Sequence, residues 1–127
     1  MNTKKIIFTE GAPRAIGPYS QAVQCGNTVY LSGQIPLDPM TMKVVEGHVQ
    51  NQALQVFKNL KAVCEAAGGD LSSIAKLTIF LVDLSHFNTV NEVMGEFFKE
   101  PYPARSTIQV TALPKAVLIE IEAIMVV

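Results

Sequence analysis

Arg105 combines a residue type and a position that could bind a small organic acid. It opens the apolar segment Arg105-Ser106-Thr107-Ile108-Gln109-Val110, and the chain has only two arginines against eight lysines. A planar guanidinium binds a carboxylate through two parallel hydrogen bonds, whereas an ammonium group cannot. Arg105 is therefore a candidate carboxylate-binding residue, and a structural ion pair is the alternative interpretation.

Glu120 and Glu122 are the second candidates, because they stand two residues apart in an otherwise apolar segment. Residues at i and i+2 of a strand share one face. Solvated edge positions would explain them, but the apolar residues that follow favour a buried strand, so at least one carboxylate should have a partner or a task. A carboxylate close to Arg105 could orient water for hydrolysis without a metal or a nucleophilic side chain. A simple hairpin would bring Arg105 and Glu120 to one face only in some registers, so we treat their proximity as a prediction.

The composition predicts a single domain over residues 1–127 that assembles with other copies of itself. The chain is 49% hydrophobic and 17% charged, with a net charge of −1. Globular proteins average about 25% charged residues, so the chain lacks the polar surface expected of a small monomer. A membrane span is not expected, because unbroken apolar runs are far shorter than the roughly 20 residues required.

Charge and cysteine usage argue against two other functional classes. Lysines are scattered singly, so the basic stripe that binds a nucleic-acid backbone is missing and nucleic acid is not an expected partner. Cys25 and Cys64 have no second cysteine or histidine at metal-ligand spacing, and we expect both to be small buried residues. No metal site is predicted, and the N-terminal residues resemble no signal sequence, so a cytoplasmic location is expected.

Hydrophobic periodicity predicts the element order β-ββ-α-β-α-β-β. Residues 76 to 83 are apolar at odd and even positions alike, which indicates a central strand covered on both faces. Ser85 is the expected N-cap of the second helix. Two helices and one mixed sheet predict a two-layer α+β domain with both helices on one face and another copy of the chain on the other. The predicted strands are residues 6 to 8, 20 to 25, 28 to 34, 76 to 83, 105 to 111 and 117 to 126, and the helices are residues 49 to 67 and 86 to 99.

Six short blocks of the sequence form a recognisable pattern, and they are Gly17-Pro18-Tyr19-Ser20-Gln21-Ala22, Ser32-Gly33-Gln34-Ile35-Pro36, Thr89-Val90-Asn91, Pro103-Ala104-Arg105-Ser106, Leu113-Pro114 and Ile119-Glu120-Ile121-Glu122-Ala123. Together these blocks resemble the RidA family, also called YjgF. The resemblance runs from about Ile6 to the C-terminus and keeps the order of the blocks. It implies a chorismate-mutase-like fold and a homotrimer with a pocket at each subunit interface. It also implies hydrolysis of reactive 2-imino acids and enamines, such as 2-iminobutanoate and 2-iminopropanoate, to 2-oxo acids and ammonia, which protects pyridoxal-phosphate enzymes, and it calls for no cofactor.

The resemblance also implies roles for individual residues. Arg105 would bind the substrate carboxylate and Glu120 would position or activate the attacking water. The expected pocket residues are Tyr19, Ser32, Gly33, Asn91 and Thr107. Many family members carry a cysteine at the position of Thr107, and imine hydrolysis needs no thiolate, so Thr107 is expected to act through its backbone groups.

Two other functions stay open at the level of sequence. The same pocket could belong to a non-catalytic regulator or holdase trimer that binds small carboxylates. Ribonuclease activity, which has been attached to relatives of this family, is poorly supported because the chain lacks a basic footprint.

Overall fold

The computed structural model describes residues 3–127, and within this range the chain forms six strands and two α-helices in the predicted order. Short 3-10 turns lie at Leu71–Ser73, Leu84–His86 and Pro114–Ala116. The α+β architecture predicted from the sequence is confirmed. The strands are β1 (Lys5–Ile7), β2 (Ala22–Cys25), β3 (Thr28–Gln34), β4 (Ile74–Leu81), β5 (Ala104–Gln109) and β6 (Ile119–Val126), and the helices are α1 (Val49–Ala66) and α2 (Phe87–Phe97).

The six strands form one mixed sheet in the order β1-β2-β3-β6-β4-β5. Only the β4–β5 pair is parallel among the described strands, because α2 crosses over between them. The last strand, β6, inserts between β3 and β4 and pairs antiparallel with both. The final two strands are therefore not a hairpin, and β5 is left as an edge strand.

Strand β4 is interior but is not the centre of the sheet, which corrects the expectation from its apolar pattern. It lies one place from the edge, and β3 and β6 occupy the middle. Leu77 and Ile79 are fully buried on the helix side, whereas Phe80 on the opposite face is only half-buried in the single chain. An apolar pattern indicates that both faces of a strand are covered, but it does not indicate the position of the strand in the sheet order.

Both helices pack on one face of the sheet and form the core with it. The buried stripe of α1 repeats at three and four residues, as in Ala53, Val56, Phe57 and Leu60, which are all fully buried. Each large apolar side chain removed from water contributes about 1.5–3 kcal/mol, so this stripe fixes the helix on the sheet.

The sheet face opposite the helices, here called the open face, exposes apolar side chains. Ile6, Tyr30 and Ile108 are 56%, 48% and 45% exposed on three different strands. Ile6 pairs with Val23 and Tyr30 pairs with Ile124, so apolar side chains lie next to one another on neighbouring strands of this face. Cover of this face by further copies stays a prediction.

Two local expectations are corrected by the structure. Ser85 is not the N-cap of the second helix, because His86 occupies that position in α2 and makes no side-chain capping bond. The Asp83 side chain instead caps the 3-10 turn ahead of α2 by accepting a hydrogen bond of 2.8 Å from the Ser85 N–H. Cys64 is buried as expected, but Cys25 is exposed because it lies at the end of β2 beside the turn.

Residues 3–127 contain no helix that is both long enough and apolar enough to cross a membrane. In the same range, no three His, Cys, Asp or Glu side chains gather so that they could hold a metal ion.

Candidate active site

The Arg105 guanidinium is held by α2, which faces β5 across the helix side of the sheet. Its Nη1 donates a hydrogen bond of 2.5 Å to Oδ1 of Asn91 and also lies 3.6 Å from Sδ of Met94. The Phe87 ring lies under the guanidinium, with 5.2 Å between Cζ and the ring centroid. A neutral amide and an aromatic face orient the cation without neutralising it. Arg105 is thus exposed and pre-oriented, and the structural ion pair considered above is not formed within residues 3–127.

Tyr102 and Pro103 stand beside Arg105 and complete an open cavity of about 470 Å³ with Asn91 and Met94 from α2. Because β5 is an edge strand, this cavity opens at the side of the sheet rather than under it. Arg105 gives this cavity a positive charge, which suits one anionic group of a ligand.

Glu120 lies in a separate cavity on the open face, also of about 470 Å³. Loop residues, the end of β3 and the start of β6 supply its walls. The lining residues are Ile16, Tyr19, Ser32, Gly33, Ile35, Pro114, Glu120 and Glu122.

Close approach of the Glu120 carboxyl group to the β3 backbone requires glycine at position 33. A Cβ atom added at Gly33 would lie 2.9 Å from Cδ of Glu120. The β3–β6 register also shifts between Leu31 and Gln34, where a bulge places Ser32 and Gly33 opposite Glu122. The bulge therefore turns the Gly33 backbone toward the carboxyl group.

Ser32 fastens this bulge to the preceding loop. Its Oγ donates a hydrogen bond of 2.6 Å to the Ser20 carbonyl, and its N–H donates one of 3.0 Å to the Gln21 carbonyl. The Ser32 hydroxyl oxygen keeps free lone pairs and can still accept a hydrogen bond from a ligand.

Tyr19 is carried by a loop that Gln21 holds in place. The buried Gln21 Nε2 donates to the carbonyls of Thr9, Ala12 and Pro13, and its Oε1 accepts from the Thr9 N–H. The Tyr19 hydroxyl accepts a hydrogen bond of 3.2 Å from the Ile16 N–H, so its own proton remains available to a ligand.

The pKa of Glu120 is raised above its ordinary value. Burial of the side chain is the larger cause, and the negative charge of Glu122 is the smaller one. Glu122 occupies the next position on the same face of β6 and lines the same cavity. A carboxyl group with a raised pKa is a stronger base when it is ionised.

Within one chain, Arg105 and Glu120 do not meet, contrary to the predicted proximity. Arg105 is paired with Leu77 and so lies on the helix side of the sheet, whereas Glu120 is paired with Phe80 on the open face. Strand β4 also separates their strands. The structure brings Tyr19, Ser32 and Gly33 to Glu120, and it brings Asn91 to Arg105.

Thr107 lies two residues beyond Arg105 on the same face of β5, paired with Ile79. Its Oγ1 atom is buried and has no hydrogen-bond partner within the described part of the chain. Thr107 does not line the Arg105 cavity, and its expected action through backbone groups stays a prediction.

Phe87 is a contact residue of the site that the sequence alone did not reveal. An aromatic residue at helical spacing is typical of a core position, yet 36% of Phe87 is exposed and its ring contacts the Arg105 guanidinium. The available signal was spacing, because Phe87 and Asn91 stand at i and i+4 on one face of α2.

The fold and the two cavities define a class of small α+β protein, with an oriented arginine on one face of the sheet and a glutamate of raised pKa on the other. Comparison with known proteins identifies the class. A family model described as endoribonuclease L-PSP matches residues 9–127. A 2-iminobutanoate/2-iminopropanoate deaminase of Dermatophagoides farinae is 51% identical, over 100% of this chain and 99% of that protein.

Solved structures give the same result. RidA from the Antarctic bacterium Psychrobacter sp. PAMC 21119 has 53% identity and a TM-score of 0.94, covering 97% of this chain and 99% of that one. E. coli TdcF with bound serine has 49% identity and a TM-score of 0.92, covering 97% and 98%. The chain belongs to the RidA (YjgF) family.

Proposed function

We propose that this protein hydrolyses reactive 2-imino acids and their enamine tautomers, including 2-iminobutanoate and 2-iminopropanoate, to 2-oxo acids and ammonia. The observation that carries the proposal is the half-buried Glu120, whose raised pKa and position against Gly33 suit a base that activates water. The exposed and oriented Arg105 is the matching carboxylate receptor. Relatives at about half identity that are named as deaminases of these imines support the assignment.

The working site is proposed to form between copies of the chain, in a homotrimer. Arg105 and Glu120 lie on opposite faces of one sheet, so a single substrate can contact both only if they come from different copies. The apolar open face supplies a surface for such contact, since Ile6, Tyr30 and Ile108 would lose their exposure to water. In this proposal residues 1–127 act as one domain, and each trimer has three equivalent sites.

The reaction needs orientation and one base. Arg105 of one copy would bind the substrate carboxylate through two parallel hydrogen bonds, with Asn91 and Phe87 holding the guanidinium. Glu120 of the next copy would take a proton from water while the water oxygen bonds to C2 of the protonated imine. Glu120 then passes this proton to the nitrogen of the carbinolamine, and the C2–N bond breaks to release ammonia. The hydroxyl proton is taken up by Glu120 as the C2–O bond becomes the carbonyl of the 2-oxo acid, and it leaves with ammonia as ammonium.

The remaining cavity residues would position the reacting groups. The Tyr19 hydroxyl can donate a hydrogen bond to substrate, and the Ser32 hydroxyl oxygen can accept one. Gly33 leaves room for the carboxyl group of Glu120. Thr107, two residues after Arg105 on β5, would contribute through its backbone. Holding two reactants in place can be worth about 7 kcal/mol or more in favourable cases, so no further group is required.

A carboxylate-binding regulator or holdase is the second candidate, because Arg105 would bind an organic acid whether or not turnover follows. The bound serine named for TdcF is a ligand of this kind. Ribonuclease activity, which the description of the family model names, has less physical support here. Glu120 and Glu122 place two carboxylates in the cavity, and these would repel a phosphate backbone.

An assay of imine hydrolysis separates these functions. A dehydratase or amino acid oxidase would generate 2-iminobutanoate in situ, and ammonia release would be followed with the wild type, Arg105→Ala and Glu120→Gln. We expect acceleration by the wild type and at least a tenfold loss in each variant, while Lys58→Ala, on the exposed side of α1, keeps the acceleration. Binding of 2-oxobutanoate that needs Arg105, with no turnover and no effect of Glu120→Gln, would instead identify a binding protein. RNA cleavage by nuclease-free protein, abolished by a pocket substitution, would establish the third function.

A further inference from the structure

Arg14, the second arginine of the chain, lies beside the Glu120 cavity and has no part in the mechanism above. It lines a small cavity of about 30 Å³ together with Tyr19, Gly33 and Ile35. The same three residues also line the cavity that contains Glu120. The two cavities are therefore neighbours that share part of their lining.

The backbone that carries Arg14 is fixed. Ala12 and Pro13 are buried directly before it, and their carbonyls accept hydrogen bonds of 3.2 and 2.8 Å from Nε2 of Gln21. These bonds tie the backbone just before Arg14 to Gln21, which lies two residues after Tyr19.

The charge of Arg14 is available to a ligand. Its side chain is exposed, and its guanidinium makes no hydrogen bond or ion pair with residues 3–127, in contrast to Arg105, which Asn91 and Phe87 hold. A free guanidinium beside an acidic cavity is a second receptor for a carboxylate.

We propose that Arg14 binds a distal carboxylate of the substrate, so that 2-imino dicarboxylic acids are among the compounds this protein hydrolyses. This inference rests on the proposed function. The α-carboxylate would lie on Arg105 of a neighbouring copy and the C=N bond at Glu120. The substrate side chain would then run along the apolar walls formed by Ile16 and Ile35, which line both cavities, and end at Arg14.

The test compares two imines in one assay. An amino acid oxidase that accepts both parent amino acids would generate 2-iminobutanoate and 2-iminoglutarate, and kcat/KM would be measured for each with the wild type, Arg14→Ala and Lys58→Ala. We expect the ratio of kcat/KM for 2-iminoglutarate over 2-iminobutanoate to fall about three- to tenfold in Arg14→Ala, as for a partly solvated charge pair. Lys58→Ala removes the same charge from an exposed residue of α1 that lines neither cavity, and it should keep the wild-type ratio.

Binding of the stable 2-oxo acids, measured by calorimetry, gives a readout that does not depend on turnover. Arg14→Ala should weaken binding of 2-oxoglutarate by about three- to tenfold relative to 2-oxobutanoate. An unchanged ratio in Arg14→Ala, in turnover and in binding, would overturn the inference while leaving the proposed function intact. Failure of the wild type to hydrolyse either imine would overturn the proposed function, and the binding ratio would then still decide whether Arg14 receives a distal carboxylate.

Discussion

Mixed trimers provide the sharpest test of a site shared between copies. Arg105→Ala and Glu120→Gln each remove one half of the proposed site, so each homotrimer should be nearly inactive. A trimer that contains both kinds of chain should regain activity. At one interface the Glu120→Gln chain still supplies Arg105, and the Arg105→Ala chain still supplies Glu120. This complementation follows from the opposite faces on which one chain carries the two residues.

The expected recovery follows from counting interfaces. A ring of three chains has three directional interfaces, and in either mixed composition one of them combines an intact arginine with an intact glutamate. Trimers purified through two different tags, one on each variant, should therefore show about one third of the wild-type activity.

The assay is ammonia release from 2-iminobutanoate, with protein quantified per trimer. The double variant Arg105→Ala/Glu120→Gln, paired with either single variant, should recover nothing, because one of the two residues is then missing from every site. Mixed trimers that are no more active than their parents would refute the shared site. A site within a single chain predicts that result.

Four further predictions follow from the same geometry. Asn91→Ala should raise KM about fivefold with little change in kcat. The substitution removes a partly solvated charged hydrogen bond of about 1 kcal/mol that orients Arg105. An unchanged KM would contradict the role of Asn91 in orienting Arg105. Glu122→Gln removes a negative charge that raises the pKa of Glu120, so the acid limb of the kcat/KM profile should move to lower pH; a fixed limb or one at higher pH would count against it. Gly33→Ala should lower kcat at least tenfold, since the new Cβ displaces the Glu120 carboxyl group, and activity near that of the wild type would exclude the tight contact. The raised pKa of Glu120 means that the stability of the folded chain falls as pH rises through that pKa. Glu120→Gln should therefore raise Tm at pH 8 by about 2 °C, or about 0.5 kcal/mol after solvent screening, with a smaller gain at pH 4. A lower Tm of the variant at pH 8 would contradict the expected direction of this effect.

Local features of the site were predictable because they depend on short segments. Strand periodicity placed Glu120 and Glu122 on one face, and the structure has both in one cavity. Arg105 is a candidate from the sequence because arginine is rare in this chain and because the residue lies at the start of a strand. Phe87 was not recognised, since an aromatic residue at helical spacing reads as core, and only the neighbouring strand shows that its ring supports a guanidinium.

Three features can be read from the amino-acid sequence alone: the order of the elements, the buried stripe of α1 and the residue types available for chemistry. These follow from periods of 3.6 and 2, which any stretch of chain expresses locally. Only the folded chain shows that β6 lies between β3 and β4. This strand order also separates Arg105 from Glu120. Strand order is set by which distant surfaces pack best, and a shift of one residue in pairing exchanges the two faces of a strand. For this reason only the folded chain shows that one copy presents the arginine and the glutamate on opposite sides.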